Sequence, residues 1–266
     1  MNLRAGALLL VASPWALASP MPPVQGPPPT FRVRTTPRHP MQYALSLPQG
    51  WCPQRTWPVV VVIPDAERDF QGNLATFVRA RGERPFILVA PFVVTSGGAG
   101  YRENPNFQYE VAVWREVDRA GDFAFDQEGI DAILEEIRVR FRGEAKAYLT
   151  GWEAGGHTVW PLLFRSPERW AGVAPVSTNW AGRWMGPRDW STDPIRAQVP
   201  VQVFFVGPQP GLPETARMAW YQQTQQALGL AQAHGFQAPP IRVVKQQAHG
   251  PLAEPVLAWF QSLRQP

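Results

Sequence analysis

The sequence predicts one α/β domain, a mostly parallel central sheet with helices on both faces, and three observations predict it. Short, wholly apolar runs recur along the chain ("VVVVI", "FILVA", "GVAPV", "VQVFFV"), as expected of strands buried on both sides. Amphipathic helical stretches separate them, which gives βαβ units. The chain has 266 residues, 45% apolar and 17% charged, enough to close one sizeable core.

Residues 31–266 are assigned to that domain, and two segments precede it. In 1–18, Arg4 leads the apolar run "AGALLLVASPWALA", and Ala16-Leu17-Ala18 fits the small-x-small rule of a signal peptide cleavage site. The run is short and broken by Pro14, which disfavours a bilayer span. The reading is cleavage after Ala18 and export, to the medium or to the periplasm and cell envelope, with an uncleaved anchor as the alternative. No later stretch is apolar for long enough to cross a membrane. Residues 19–30, "SPMPPVQGPPPT", hold six prolines and read as an extended linker.

From Phe31 the elements follow in order. "FRVRT" and "QYALSL" alternate apolar and polar residues, as edge strands do. Val59–Ile63 and 86–90 are continuous apolar strands. Segment 92–121 reads as a long rim loop whose Gly97, Gly98 and Gly100 suit a mobile tip. In "FDQEGIDAILEEIRVRF", Ile130, Ile133, Leu134, Ile137 and Phe141 share one helical face. Strands at 147–150, 172–176, 201–206 and 241–244 follow, with helices at 215–235, where Gly235 is the stop, and at 255–263.

Composition excludes some classes of function. Cys52 is the single cysteine, so no internal disulfide forms, and it reads as apolar filler. The net charge is +4, or +3 without Arg4, and the arginines are scattered. No stripe tracks phosphates, so nucleic acid is not an expected partner.

The stretch "YLTGWEAGGH" (148–157) carries the most chemistry. Strand, then "GWEAGG", then helix is the context of a nucleophile elbow. Together with "FDQEGIDAILEEIRVRF", "RSPERWAGVAPVS" and "AHGPLAEPVLAWF", it resembles the α/β-hydrolase superfamily, in its secreted polyhydroxybutyrate-depolymerase-like and feruloyl-esterase-like branch. The resemblance covers roughly residues 40–263 and implies an α/β-hydrolase fold. It also implies ester hydrolysis by a Ser-His-Asp triad with a backbone oxyanion hole.

The chain departs from that pattern in three places. Glu153 holds the nucleophile position. Carboxylate nucleophiles exist, but members of the superfamily that use one use Asp. The extra methylene of Glu displaces the attacking oxygen by about 1.5 Å, a misplacement that can cost about 100-fold. The acid position after "VQVFFVG" falls near Pro210. Glu214 reads as serving a helix dipole, while Asp189 and Asp193 are candidates for a relocated acid, Asp193 also fitting a turn or cap. The oxyanion loop runs Pro64-Asp65-Ala66-Glu67-Arg68-Asp69, placing carboxylates where an anion should be stabilised.

His249 alone stands where the resemblance wants the base. His157, four residues past Glu153, reads as a structural ion-pair partner of it. A Glu153–His249 pair would raise the histidine pKa and lower that of the glutamate, and would serve either as an acid–base pair or as an inert plug.

Trp152, Trp180, Trp184 and Trp190, with Arg183, Ala154 and Asp65, are the candidate binding residues. The tryptophans suit stacking and the arginine suits a carboxylate, although a Trp-rich loop also packs on itself. Expected ligands are a small molecule, a glycan or an aromatic ester. No cofactor or metal is expected, because neither H-x-x-x-H nor H-E-x-x-H spacing nor a cysteine pair is present. Oligomeric state is left open. Three functional readings stand: a binding or scaffold module without serine-esterase activity, a rewired hydrolase using Glu153 and His249, and a structural envelope protein.

Overall fold

β3 (Val59–Ile63) consists of five β-branched residues, all buried. Stiff branched side chains favour the pleated strand, and burial on both faces is the pattern of a strand with parallel neighbours on each side. β3 has them in β4 (Ile87–Pro91) and β5 (Ala147–Trp152), with Ile63 level with Gly151. The computed structural model describes residues 31–97, 102, 109–208, 213–245 and 250–265.

Among the described residues the sheet has eight strands, in the order β1-β2-β4-β3-β5-β6-β7-β8. β1 (Arg34–Thr35) and β2 (Gln42–Ser46) are antiparallel. β6 (Trp170–Val176), β7 (Phe204–Val206) and β8 (Arg242–Val244) extend the parallel part. The predicted mostly parallel sheet is therefore present. The edge strands are shorter than predicted. "FRVRT" contributes two paired residues, and in "VQVFFV" the first position makes only an isolated bridge, between Val201 and Val173.

Helices α3 (Asp122–Phe141), α4 (Gly156–Arg165), α5 (Glu214–Ala233) and α6 (Ala253–Ser262) lie where the sequence places them, within a few residues. α1 (Phe70–Arg81) and α2 (Val111–Ala120) are additions to that reading. α1 buries Phe70, Leu74 and Phe77, a correct helical spacing that polar residues dilute. Asp69 caps it by accepting from the Gly72 N–H at 2.8 Å. α2 lies inside the stretch expected to be a rim loop and buries only Val117. Of the expected mobile tip, Gly98 and Gly100 fall outside the described residues.

Candidate active site

The ends of β3 and β5 sit side by side, and the chain leaves β5 through one 3-10 turn, Glu153–Gly155, before entering α4. Glu153 has φ +47°, in the left-handed region that costs a side-chain-bearing residue strain. The turn closes only because its neighbours are glycines. A Cβ on Gly155 would lie 2.9 Å from the Pro64 carbonyl oxygen, and one on Gly156 would lie 2.5 Å from Thr178 Cβ. The Glu153 carbonyl also accepts from the Asn179 N–H at 3.3 Å. The elbow is thus held against the loops after β3 and β6, in nucleophile-elbow form with a carboxylate at its tip.

Asp65 comes from the loop pressed against that elbow. It is buried, and its Oδ1 accepts from the Glu67 N–H at 3.0 Å. Its pKa is pushed up to about 7, first by burial, then by the charges of Glu153 and Glu67, against backbone N–H donors from Glu67 and Arg68. Negative charge gathered at this place opposes the stabilisation of an oxyanion.

His157, on the first turn of α4, is buried and its pKa falls to about 4, through burial first and then the nearby Arg183 charge. It is therefore a neutral imidazole at neutral pH. The ion pair with Glu153 expected from their spacing needs a charged imidazole, and burial removes it.

The wall beyond α4 is the turn at 94–97, organised by a residue that the motif reading passed over. Asp126 of α3, fully buried, accepts from the N–H groups of Val94 and Thr95 and from Thr95 Oγ1, at 2.6–2.9 Å. Thr95 Oγ1 lies 2.6 Å from Thr158 Oγ1 of α4. Burial raises the Asp126 pKa to about 7, and these hydrogen bonds oppose the rise.

The tryptophans take other roles than the predicted aromatic rim. Trp152 points into the core, and its Nε1–H donates to Asn73 Oδ1 of α1 at 3.0 Å. Trp180 is fully buried against Phe164 and donates to the Arg183 carbonyl at 3.0 Å. Trp190 stacks face to face on His234, with ring centroids 3.6 Å apart. Trp184 is half-buried, and its carbonyl accepts from Arg165 at 2.5 Å. Most of this loop's aromatic surface is spent on its own packing. Arg183 remains exposed and donates to the Gly97 carbonyl at 3.2 Å, and Ala154 is buried inside the elbow turn.

Neither candidate acid is free of local duties. Asp189 pairs with Arg165 at 2.9 Å and accepts from the Gly186 N–H at 2.6 Å. Asp193 is exposed and caps the short 3-10 helix Pro194–Ala197 through the Ile195 N–H at 2.9 Å. Glu214 opens α5 and pairs with Arg217 one turn on. His249 and Pro210 lie outside the described residues. Among the described residues, no group of three or more His, Cys, Asp and Glu side chains is placed to hold a metal ion.

No family model and no curated protein matches the chain. Among solved structures it is similar to poly(aspartic acid) hydrolase-1 from Sphingomonas sp. KT-1, at 13% identity over 88% of this chain and 97% of that one, TM-score 0.57. It is also similar to LpqC, a poly(3-hydroxybutyrate) depolymerase from Bordetella parapertussis, at 18% identity over 86% and 88%, TM-score 0.51. A thermostable esterase matches over 89% of this chain, which spans only 60% of that protein, at 17% identity and TM-score 0.45. At such identities the likeness is one of architecture. Strand order, the elbow between β5 and α4, and the likeness to the first two of these structures together establish that the chain has the α/β-hydrolase fold.

Proposed function

We propose that this is an exported α/β-hydrolase-fold protein without serine-esterase activity, acting as a binding module for a small polar ligand at the elbow. One observation carries the reading. The strained, glycine-braced position of the nucleophile is occupied by Glu153, with the buried carboxyl of Asp65 beside it. An acyl transfer needs a nucleophile there and positive or hydrogen-bond-donating groups around the developing oxyanion. A carboxyl pair supplies the reverse. It accepts hydrogen bonds from hydroxyl or ammonium groups of a ligand, which is binding chemistry.

A second reading has a specific support. A carboxyl with a pKa of about 7 is poised for acid–base work at neutral pH, so Asp65 beside Glu153, with His249, would make a rewired hydrolase. Short-chain and aromatic esters, assayed with the purified protein and with Glu153→Ala and His249→Ala variants, separate the two. The binding reading expects no turnover above buffer. Turnover abolished by either substitution would overturn it.

A further inference from the structure

Buried polar atoms in folded proteins nearly always have a hydrogen-bond partner, and exceptions call for an explanation. Several lie around the elbow. Among the described residues, Ser96 Oγ, His157 Nδ1 and Asn179 Oδ1 have none, and Ser96 is fully buried while His157 is 7% exposed. They belong to three segments that hydrogen bonds draw together. Thr95, beside Ser96, is hydrogen-bonded to Thr158, beside His157. The Gly97 carbonyl, on the other side of Ser96, is held by Arg183. Asn179 is tied through its backbone to Glu153.

Arg183 completes the set. It is exposed, and among the described residues its hydrogen bond is to a carbonyl and not to a carboxylate. Its charge is felt at His157, which itself carries none at neutral pH.

We propose that Ser96, His157 and Arg183 form a carboxylate-binding subsite beside the elbow, recognising one end of a small organic acid. The chemistry matches. The guanidinium fork fits two carboxylate oxygens, the serine hydroxyl donates, and an imidazole carrying its proton on Nδ1 donates as well. Charge balances too, one cation against one monoanion. Asp65 and Glu153, on the elbow side, repel the carboxylate and accept from hydroxyl or ammonium groups at the ligand's other end, so the ligand has one orientation. The subsite rests on the binding reading above only for what happens next to the bound acid.

The test uses benzoate and its neutral isostere benzamide, titrated calorimetrically into the intact protein. Benzoate binds at least about tenfold more tightly than benzamide, and Arg183→Gln removes about that factor for benzoate alone, as loss of a charge-assisted hydrogen bond requires. Ser96→Ala weakens benzoate while leaving the thermal midpoint unchanged or higher, since it deletes a hydroxyl that has no partner; a purely structural serine would lower it. Equal affinity for the two probes, no binding of either, or an Arg183→Gln variant that binds benzoate normally would overturn the subsite and leave those atoms to buried water. Ester turnover with intact benzoate discrimination would sink the binding-module reading and keep the subsite. Silence toward esters with no discrimination would do the opposite.

Discussion

Glu153 sits at φ +47°, a conformation that costs a non-glycine residue about 1 kcal/mol or more, and its charge helps to raise the pKa of the Asp65 carboxyl. Both features follow from the same turn, since the tightness that strains residue 153 also brings it beside the loop holding Asp65. Glu153→Gln keeps shape and removes charge. It should bring the Asp65 pKa down from about 7 toward the ordinary carboxylate range, read from the pH titration of the Asp65 carboxyl by NMR; an unmoved value would mean that burial alone sets it. The glycines make a sharper demand. Gly156→Ala drives a Cβ against Thr178 and should cost about 1–3 kcal/mol in urea denaturation, as overpacking does. Position 153 and its glycines were legible in the sequence, because few other arrangements need Gly on both sides of a residue between strand and helix. The fate of Trp152 was not. Nothing in "GWEAGG" says that this ring turns inward to Asn73, since the partner lies on a helix whose own apolar spacing is faint.

Among the elements, α3 matters beyond its packing. Asp126 falls in register with Ile130, Ile133 and Ile137, a carboxyl on an apolar stripe, and that placement was the available signal for it. It satisfies two backbone N–H groups and one hydroxyl in the turn at 94–97. Asp126→Ala leaves those donors buried and unmatched and should destabilise the protein by about 3 kcal/mol, measured by chemical denaturation, with earlier proteolytic cleavage near residue 97. A loss below about 1 kcal/mol would mean that water replaces the carboxyl. The loop after β6 was read for its aromatic richness, yet Trp180 and Trp190 are spent on Phe164 and His234. Composition reveals how many rings a loop has, and their orientation depends on chain segments far away in sequence. α2 escaped the periodicity reading because it buries only Val117, and α1 because polar residues dilute its apolar spacing.

At the scale of the whole molecule, the buried titratable groups set an unusual pH response. Asp65 and Asp126 titrate near 7 folded against an ordinary 3.8. Between those values the native state holds two protons that the unfolded chain has lost. Stability therefore falls as pH rises through that window, by about 1.4 kcal/mol per pH unit for each uncompensated proton. His157 works against this. Its pKa is about 4 folded and 6.5 ordinarily, so below 6.5 the unfolded chain binds a proton that the native state refuses, and His39, lowered mainly by burial, adds in the same direction. The histidines offset part of this loss up to about pH 6.5, and the carboxyls act alone from there to about 7. Urea midpoints should be higher at pH 5.5 than at pH 8, with the drop concentrated near neutrality and reduced in Asp126→Asn. A midpoint that rises toward pH 8 would refute this assignment. The brace around the elbow has one more consequence. Its hydrogen bond to Asn179 runs through the backbone of residue 153, and its close approaches run through glycines on either side, so this part of the brace does not depend on which side chain fills the position. Exchange at one codon can then alter what the molecule does while leaving intact what it is built from, and a serine installed there would meet a turn already shaped to receive it.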